Sequence, residues 1–173
     1  MHDKIEEILF TEEDIRRRIA ELGKEISADY AGKDLVLLAV LRGAVIFLAD
    51  LARAIDLQLV IDYMVVTRYG RHDHPTDVKI LKDMDTSIDG KHVIIVEDII
   101  DNGNTLYFLQ NNLKLRNPAS LKICTLFNKP AERLVPIEPD YNGFVVPNRF
   151  VVGFGLDYQQ KYRNLPYLGT IRS

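Results

Sequence analysis

The run Leu35-Val36-Leu37-Leu38-Ala39-Val40-Leu41 constrains this chain more than any other feature. A segment that is apolar at every position has no solvent face, so as a strand it must be covered on both sides. It is also far short of the ~20 residues that cross a bilayer. His92 to Val96 and Leu121 to Phe127 repeat the pattern, and Leu59 to Val66 reads as a further strand. Helical periodicity lies between them. Thr11-Glu12-Glu13-Asp14 reads as an N-cap with an acidic first turn, and Ile15, Ile19, Leu22 and Ile26 then recur at helical spacing up to an end near Gly32. Ala44 to Ile55 and the segment carrying Leu106, Leu109 and Leu113 are the other predicted helices. Val78 to Leu81 predicts a short strand. The C-terminal third reads as irregular, with Pro130, Pro136, Pro139, Pro147 and Pro166 limiting helix length.

Buried strands alternating with helices imply an α/β fold, a mostly parallel sheet flanked by helices. Ligands of such sheets sit at the carboxyl ends of the strands, here the segments after Leu41, Val66, Val96 and Phe127. No repeat or linker divides the 173 residues, so residues 1–173 are expected to form a single domain. A formal net charge of −3, with acids and bases intermixed, argues against nucleic acid and favours a small-molecule ligand. A phosphate-bearing ligand fits, because backbone amides hold phosphate without net positive charge. The charged start, Met1-His2-Asp3-Lys4-Ile5-Glu6-Glu7, has no apolar signal core. The single cysteine, Cys124, is expected to be a buried small hydrophobe. Together these lead us to expect a cytoplasmic protein with no membrane association.

The chemistry concentrates in Val93-Ile94-Ile95-Val96-Glu97-Asp98-Ile99-Ile100-Asp101-Asn102-Gly103-Asn104-Thr105. An apolar strand delivers adjacent carboxylates to the sheet edge, and a third acid precedes a small polar turn that opens into a helix. Asn102, Gly103, Asn104 and Thr105 are placed to aim backbone N–H groups at one point, aided by the helix dipole, which makes a phosphate cradle. Glu97 and Asp98 are placed to accept hydrogen bonds from sugar hydroxyls. A P-loop ATPase also ends a strand in acids, but its G-x-x-x-x-G-K-[ST] loop is missing here, as is a G-x-G-x-x-G fingerprint. Clustered carboxylates are otherwise often structural ion-pair networks.

This stretch resembles the phosphoribosyl pyrophosphate (PRPP) motif of the type I phosphoribosyltransferases, and its Glu97-to-Asp101 core is similar to the hypoxanthine-guanine branch. Leu41-Arg42-Gly43 resembles the family's pyrophosphate loop, Val78 to Asp83 the segment after its mobile loop, and Arg149 to Tyr158 its purine- and metal-binding segment. The resemblance implies the type I phosphoribosyltransferase fold, with a small hood formed by N- and C-terminal segments. It implies a Mg²⁺-dependent purine salvage enzyme that makes IMP or GMP from PRPP and hypoxanthine or guanine, as a homodimer or homotetramer. Asp101 would handle the purine proton, with an N-cap as its structural alternative. Arg42, Gly43 and Arg163 would bind pyrophosphate, and the Arg42-Gly43 peptide would often be cis. Lys129 would donate to the 6-oxo group, Phe150 would stack on the purine, Val151 would offer its carbonyl and Asp157 would also line the purine subsite. Asp157, Glu97 and Asp98 would serve Mg²⁺, although Asp157 also stands where it would pair with Arg149 or Arg163.

Thr67 to Thr76 reads as a lid that excludes water, carrying Arg68 and Tyr69, with His72 and His74 solvated. Two departures from the family pattern stand out: Asn102 where relatives usually place Thr, and Arg68 where they usually place Ser. A PRPP-sensing regulator is the rival reading, but it should add a nucleic-acid-binding domain or a basic face. A pyrimidine enzyme is disfavoured by the Phe150-to-Asp157 segment, and an adenine enzyme would leave the lysine without its acceptor.

Overall fold

The computed structural model describes residues 4–68 and 78–172. A six-stranded sheet is built from β2 (Leu35–Leu41), β3 (Leu59–Arg68), β4 (Val78–Lys82), β5 (His92–Ile100), β6 (Ser120–Asn128) and β7 (Tyr141–Val145), in the order β4-β3-β2-β5-β6-β7. All neighbouring pairs are parallel except β3 with β4. The apolar run at Leu35–Leu41 is buried on both faces as expected. Leu35, Leu37 and Ala39 join one core with Ile15, Leu22, Phe47 and Leu51, whereas Val36, Leu38 and Val40 join the other with Leu106, Leu109 and Leu113. Each such side chain contributes about 1.5–3 kcal/mol on full burial, so a one-residue register slip, which exchanges the two faces, is strongly opposed.

The helices α1 (Glu12–Asp29) and α2 (Ala44–Ala54) cover the first face and α3 (Asn104–Lys114) covers the second. Helix α1 opens with a capping box: Thr11 Oγ1 accepts from the Asp14 amide at 3.2 Å, and Asp14 Oδ2 accepts from the Thr11 amide at 3.1 Å. Helix α2 is apolar nearly all round because it is sandwiched, with Phe47 and Leu51 fully buried between α1 and the sheet.

A second, three-stranded sheet joins β1 (Ile5–Phe10), β9 (Leu168–Ile171) and β8 (Val151–Val152) in the order β1-β9-β8. It ties the two ends of the described chain together, where the sequence pattern predicted no strand. These strands are short and their partners are far apart in sequence, so no local alternation announces them. Strand β7 also forms in the third read as irregular, and the length of β5 is a further correction. Strand β5 continues past Val96 to Ile100 because β6 keeps pairing with it, Glu97 opposite Thr125 and Ile100 opposite Asn128. Glu97 and Asp98 therefore lie within the strand rather than after it.

The chain leaves β2 toward β3 on one side and places β5 and β6 on the other, with the intervening helices on opposite faces. The carboxyl ends of β2 and β5 thus form the topological switch point of the sheet, the place where α/β sheets bind ligands. Among the described residues no helix is long and apolar enough to cross a membrane.

Candidate active site

The ladder between β2 and β5 runs to Ala39 opposite Val96, and both strands continue beyond it. There the chain after β2 turns through a cis peptide between Leu41 and Arg42. The cis bond is thus the one entering Arg42, not the Arg42-Gly43 bond. Gly43 already has helical angles (φ −58, ψ −42) and Val45 N–H donates to the Arg42 carbonyl, so that next peptide belongs to the opening of α2.

Gly43 packs against Asp98 so closely that a Cβ would stand 1.6 Å from Asp98 Oδ2 and 3.3 Å from the Gly155 carbonyl oxygen. Gly155, at φ +102, returns the contact: its Cβ would stand 2.2 Å from the Gly43 carbonyl oxygen. Gly43 and Gly155, distant in sequence, therefore meet backbone to backbone, with the Asp98 side chain packed against Gly43, an approach that leaves no room for a Cβ.

Beside this junction lies a cavity of about 180 Å³ lined by Glu97, Asp98, Asp101, Gly103, Thr105 and Leu106, among others. Helix α3 starts here from Gly103 in the left-handed region (φ 83), with no side-chain cap and no acid in its first turn. Its dipole is left uncompensated, a favourable seat for an anion. The amides differ from the sequence expectation. Asn102 N–H donates to Asp101 Oδ1 at 2.7 Å, and Asn104 N–H donates to Asn102 Oδ1 at 3.0 Å. Two amides expected in the cradle are satisfied from within the loop, because short Asp and Asn side chains reach nearby backbone. Asn102 spends its carbonyl oxygen on this turn, leaving its NH₂ end as the donor. The N-cap role considered for Asp101 falls to Gly103 instead.

Glu97 is buried. Asp98 is half-buried, with its carboxyl group close against Gly43. Burial pushes its pKa up to about 6, only partly offset by the Ile99 amide and the Arg163 guanidinium, while Asp101 adds to the rise.

Arg163 Nη2 pairs with Asp157 Oδ1 at 2.7 Å, and Arg163 Nη1 donates to the Gly155 carbonyl at 2.7 Å. Asp157 Oδ2 accepts from the Gln160 amide at 2.8 Å. Gln160 Oε1 accepts from Arg163 at 3.1 Å and from Arg42 at 3.3 Å. Of the two ion pairs considered for Asp157, the Arg163 pair forms. Arg149 turns away to Glu6, Glu7 and Thr170. Gln160 links both arginines, yet a lone glutamine carries no motif that would have revealed it.

On the far side Phe150 is 56% exposed and meets the Tyr158 ring edge-on at 5.8 Å. Lys129 Nζ donates to the Arg149 carbonyl at 2.6 Å, beside Phe150. Val151 is buried in β8 opposite Thr170. Cys124 is fully buried, and burial pushes its thiol pKa far up, so it is inert packing as expected. Arg68 ends β3, while Tyr69 and the rest of the expected lid, with His72 and His74, lie outside the described residues.

A family model described as a phosphoribosyl transferase domain matches residues 7–159. The hypoxanthine-guanine phosphoribosyltransferase of Streptococcus thermophilus is 52% identical over 169 residues, 97% of this chain and 94% of that one. A hypoxanthine phosphoribosyltransferase of Staphylococcus aureus, solved by crystallography, superposes with a TM-score of 0.96 at 44% identity, covering 99% of this chain and 94% of that chain. The Trypanosoma cruzi hypoxanthine phosphoribosyltransferase, solved as a ternary substrates complex, gives a TM-score of 0.94 at 42% identity, over 98% and 97% of the two chains.

Proposed function

The chain belongs to the hypoxanthine-guanine phosphoribosyltransferases, and from this premise we propose how its residues carry the reaction. The enzyme moves the 5-phosphoribosyl group of PRPP to N9 of hypoxanthine or guanine, releasing pyrophosphate with IMP or GMP. The observation that carries this reading is the junction of Gly43, Asp98 and Gly155 beside the start of α3. It brings to one point the segments that this proposal gives to pyrophosphate, ribose and purine.

The 5-phosphate sits at the positive end of α3, on the Gly103 and Thr105 amides with the Asn102 NH₂ group and the Thr105 hydroxyl. Glu97 and Asp98 hold the ribose hydroxyls. The pyrophosphate lies against Gly43, Arg42 and Arg163, whose guanidinium groups Gln160 already gathers. As negative charge builds on the departing pyrophosphate, these fixed donors stabilise it. The purine stacks on the exposed face of Phe150, and Tyr158 supports the ring edge-on. Lys129 leaves the Arg149 carbonyl for the 6-oxo group, and the Val151 carbonyl addresses the 2-position. Asp101 accepts the N7 proton as N9 attacks an oxocarbenium-like ribose.

Among the described residues no group of three or more His, Cys, Asp or Glu side chains forms a metal cage. That suits Mg²⁺, which keeps much of its water and takes substrate oxygens alongside one or two carboxylates. Asp98 and Glu97 at the ribose, and Asp157 at the pyrophosphate, would hold it. When bound, the ion neutralises charge on the pyrophosphate. Asp98, whose burial disfavours its charged form, gains from a nearby cation.

Val45, Ile61 and Tyr63 are exposed at 49%, 50% and 42% and support a homodimer or homotetramer, which light scattering tests. A cytoplasmic setting follows the same reading. The direct test is nucleotide formation from PRPP, Mg²⁺ and each purine base. Hypoxanthine and guanine react in the expected outcome, and no product from any 6-oxopurine would overturn the assignment. Asp101→Asn is expected to lower kcat by ~10²–10⁴-fold with PRPP binding retained. An unchanged kcat would remove Asp101 from the proton transfer.

A further inference from the structure

After β6 the chain makes a short 3₁₀ turn, Pro130–Glu132, and runs back past the loop that carries Asp101. Along the way it grips that loop at each successive carbonyl. Lys129 N–H donates to the Ile100 carbonyl at 2.8 Å, Arg133 Nη1 to the Asp101 carbonyl at 3.0 Å, and Leu134 N–H to the Asn102 carbonyl at 3.0 Å. Only the middle bond comes from a side chain. That side chain is only 9% exposed, its Nη2 is anchored on Asn128 Oδ1 at 2.5 Å, and its Nε lies 3.7 Å from Glu138 Oε1. Its Cδ also lies 3.2 Å from where a Cβ on Gly103 would stand, so the stem backs the left-handed turn that starts α3.

A buried cation is costly to desolvate, and a buried arginine, even with the Glu138 carboxylate nearby, is weak evidence for stability alone. What the fork does here is geometric. Two donors on one rigid plane fix the Asp101 carbonyl relative to Asn128, the residue immediately before Lys129. We propose that Arg133 is a positioning residue: it sets the orientation of Asp101 toward the purine and locks the proton-accepting loop to the base-reading lysine. This rests on the phosphoribosyl transfer reading above and goes beyond it by naming the residue that aligns two of its subsites. Arg133 touches no reacting atom. Its effect passes through the Asp101 backbone, where a misplacement of about 1 Å is enough to cost on the order of 10²-fold in rate.

Arg133→Met keeps most of the buried stem and removes the donors. The expected result is a kcat for IMP formation reduced about 10- to 100-fold, with KM for PRPP within about threefold of wild type. Amide hydrogen exchange should accelerate at Asn102 and Asn104, with the α1 and α2 amides unchanged. Arg133→Lys, which restores one donor, should recover part of the lost kcat. If Arg133→Met does not fold, Asn128→Leu, which frees the guanidinium from its anchor, should give the same split in milder form. A wild-type kcat in a folded Arg133→Met, or a rise in KM for PRPP at unchanged kcat, would overturn the positioning role. Hydrogen exchange separates the two ideas. Loosening of residues 102–104 in a protein that makes no nucleotide defeats the transfer reading while the structural clamp stands. An active enzyme indifferent to both substitutions defeats the clamp alone.

Discussion

Two aspartates, Asp62 buried in β3 and Asp98 half-buried in β5, are held by the same sheet in opposite ways. Asp62 accepts from the Tyr63 amide at 2.7 Å and from the Asp85 and Thr86 amides at 2.9 and 2.7 Å. Burial alone would raise its pKa, but these amides and the Thr86 hydroxyl together hold it below the ordinary value. Asp98 has the Ile99 amide at 2.8 Å, is walled by Gly43, and is pushed up to about 6. Asp62 is a finished structural pin that fastens the turn at residues 85–86 to the sheet. Asp98 has fewer donors, which suits the ligand-holding role proposed for it. The opposite shifts follow from the number of donors, three amides at Asp62 against one at Asp98.

The sharpest way to break this contrast is to remove each acid. Asp62→Ala leaves three backbone amides without their acceptor and is expected to cost about 3–5 kcal/mol in urea unfolding. A loss under 1 kcal/mol would show that the pin is dispensable. Asp98→Asn is expected to cut kcat/KM for PRPP by roughly 10²-fold, about 2.7 kcal/mol of transition-state stabilisation, while leaving the fold at least as stable at pH 7.5. Full activity with lost stability would reverse the assignment of roles.

The pH dependence offers a smaller test, and its sign differs between the two. The raised pKa of Asp98 means that its favourable contribution is complete below the ordinary value of 3.8 and is lost as pH climbs through about 6. The stability of the wild type relative to Asp98→Asn should therefore be greater by roughly 1–2 kcal/mol at pH 4 than at pH 7.5. Asp62, with a lowered pKa, contributes above the ordinary range and loses that contribution as acid is added. The smallest effect is expected at Arg116, which pairs with Asp83 at 2.8 Å near the same turn. Arg116→Ala should cost about 0.2–1 kcal/mol, as partly exposed pairs do.

Legibility in the sequence followed the range of the interactions. The strand at Leu35–Leu41, the helix capped by Thr11 and the acids before Gly103 were readable because each depends on neighbours along the chain. Gln160 and Arg133 were not, because what makes them matter is an arginine pair brought together by the fold and a carbonyl on another segment. The extension of β5 to Ile100 was likewise invisible, since its cause is the continued pairing of β6.

By itself the sequence determined the class of fold and the chemistry assembled at one strand end, because apolar periodicity and a strand-acid-turn-helix order are local properties of the chain. The tertiary structure decided which acid is pinned and which is poised, where the cis peptide falls, and which amides of the cradle are already spent. Those outcomes depend on how many donors reach a buried group and how closely two backbones approach, and both are set only when distant segments pack together.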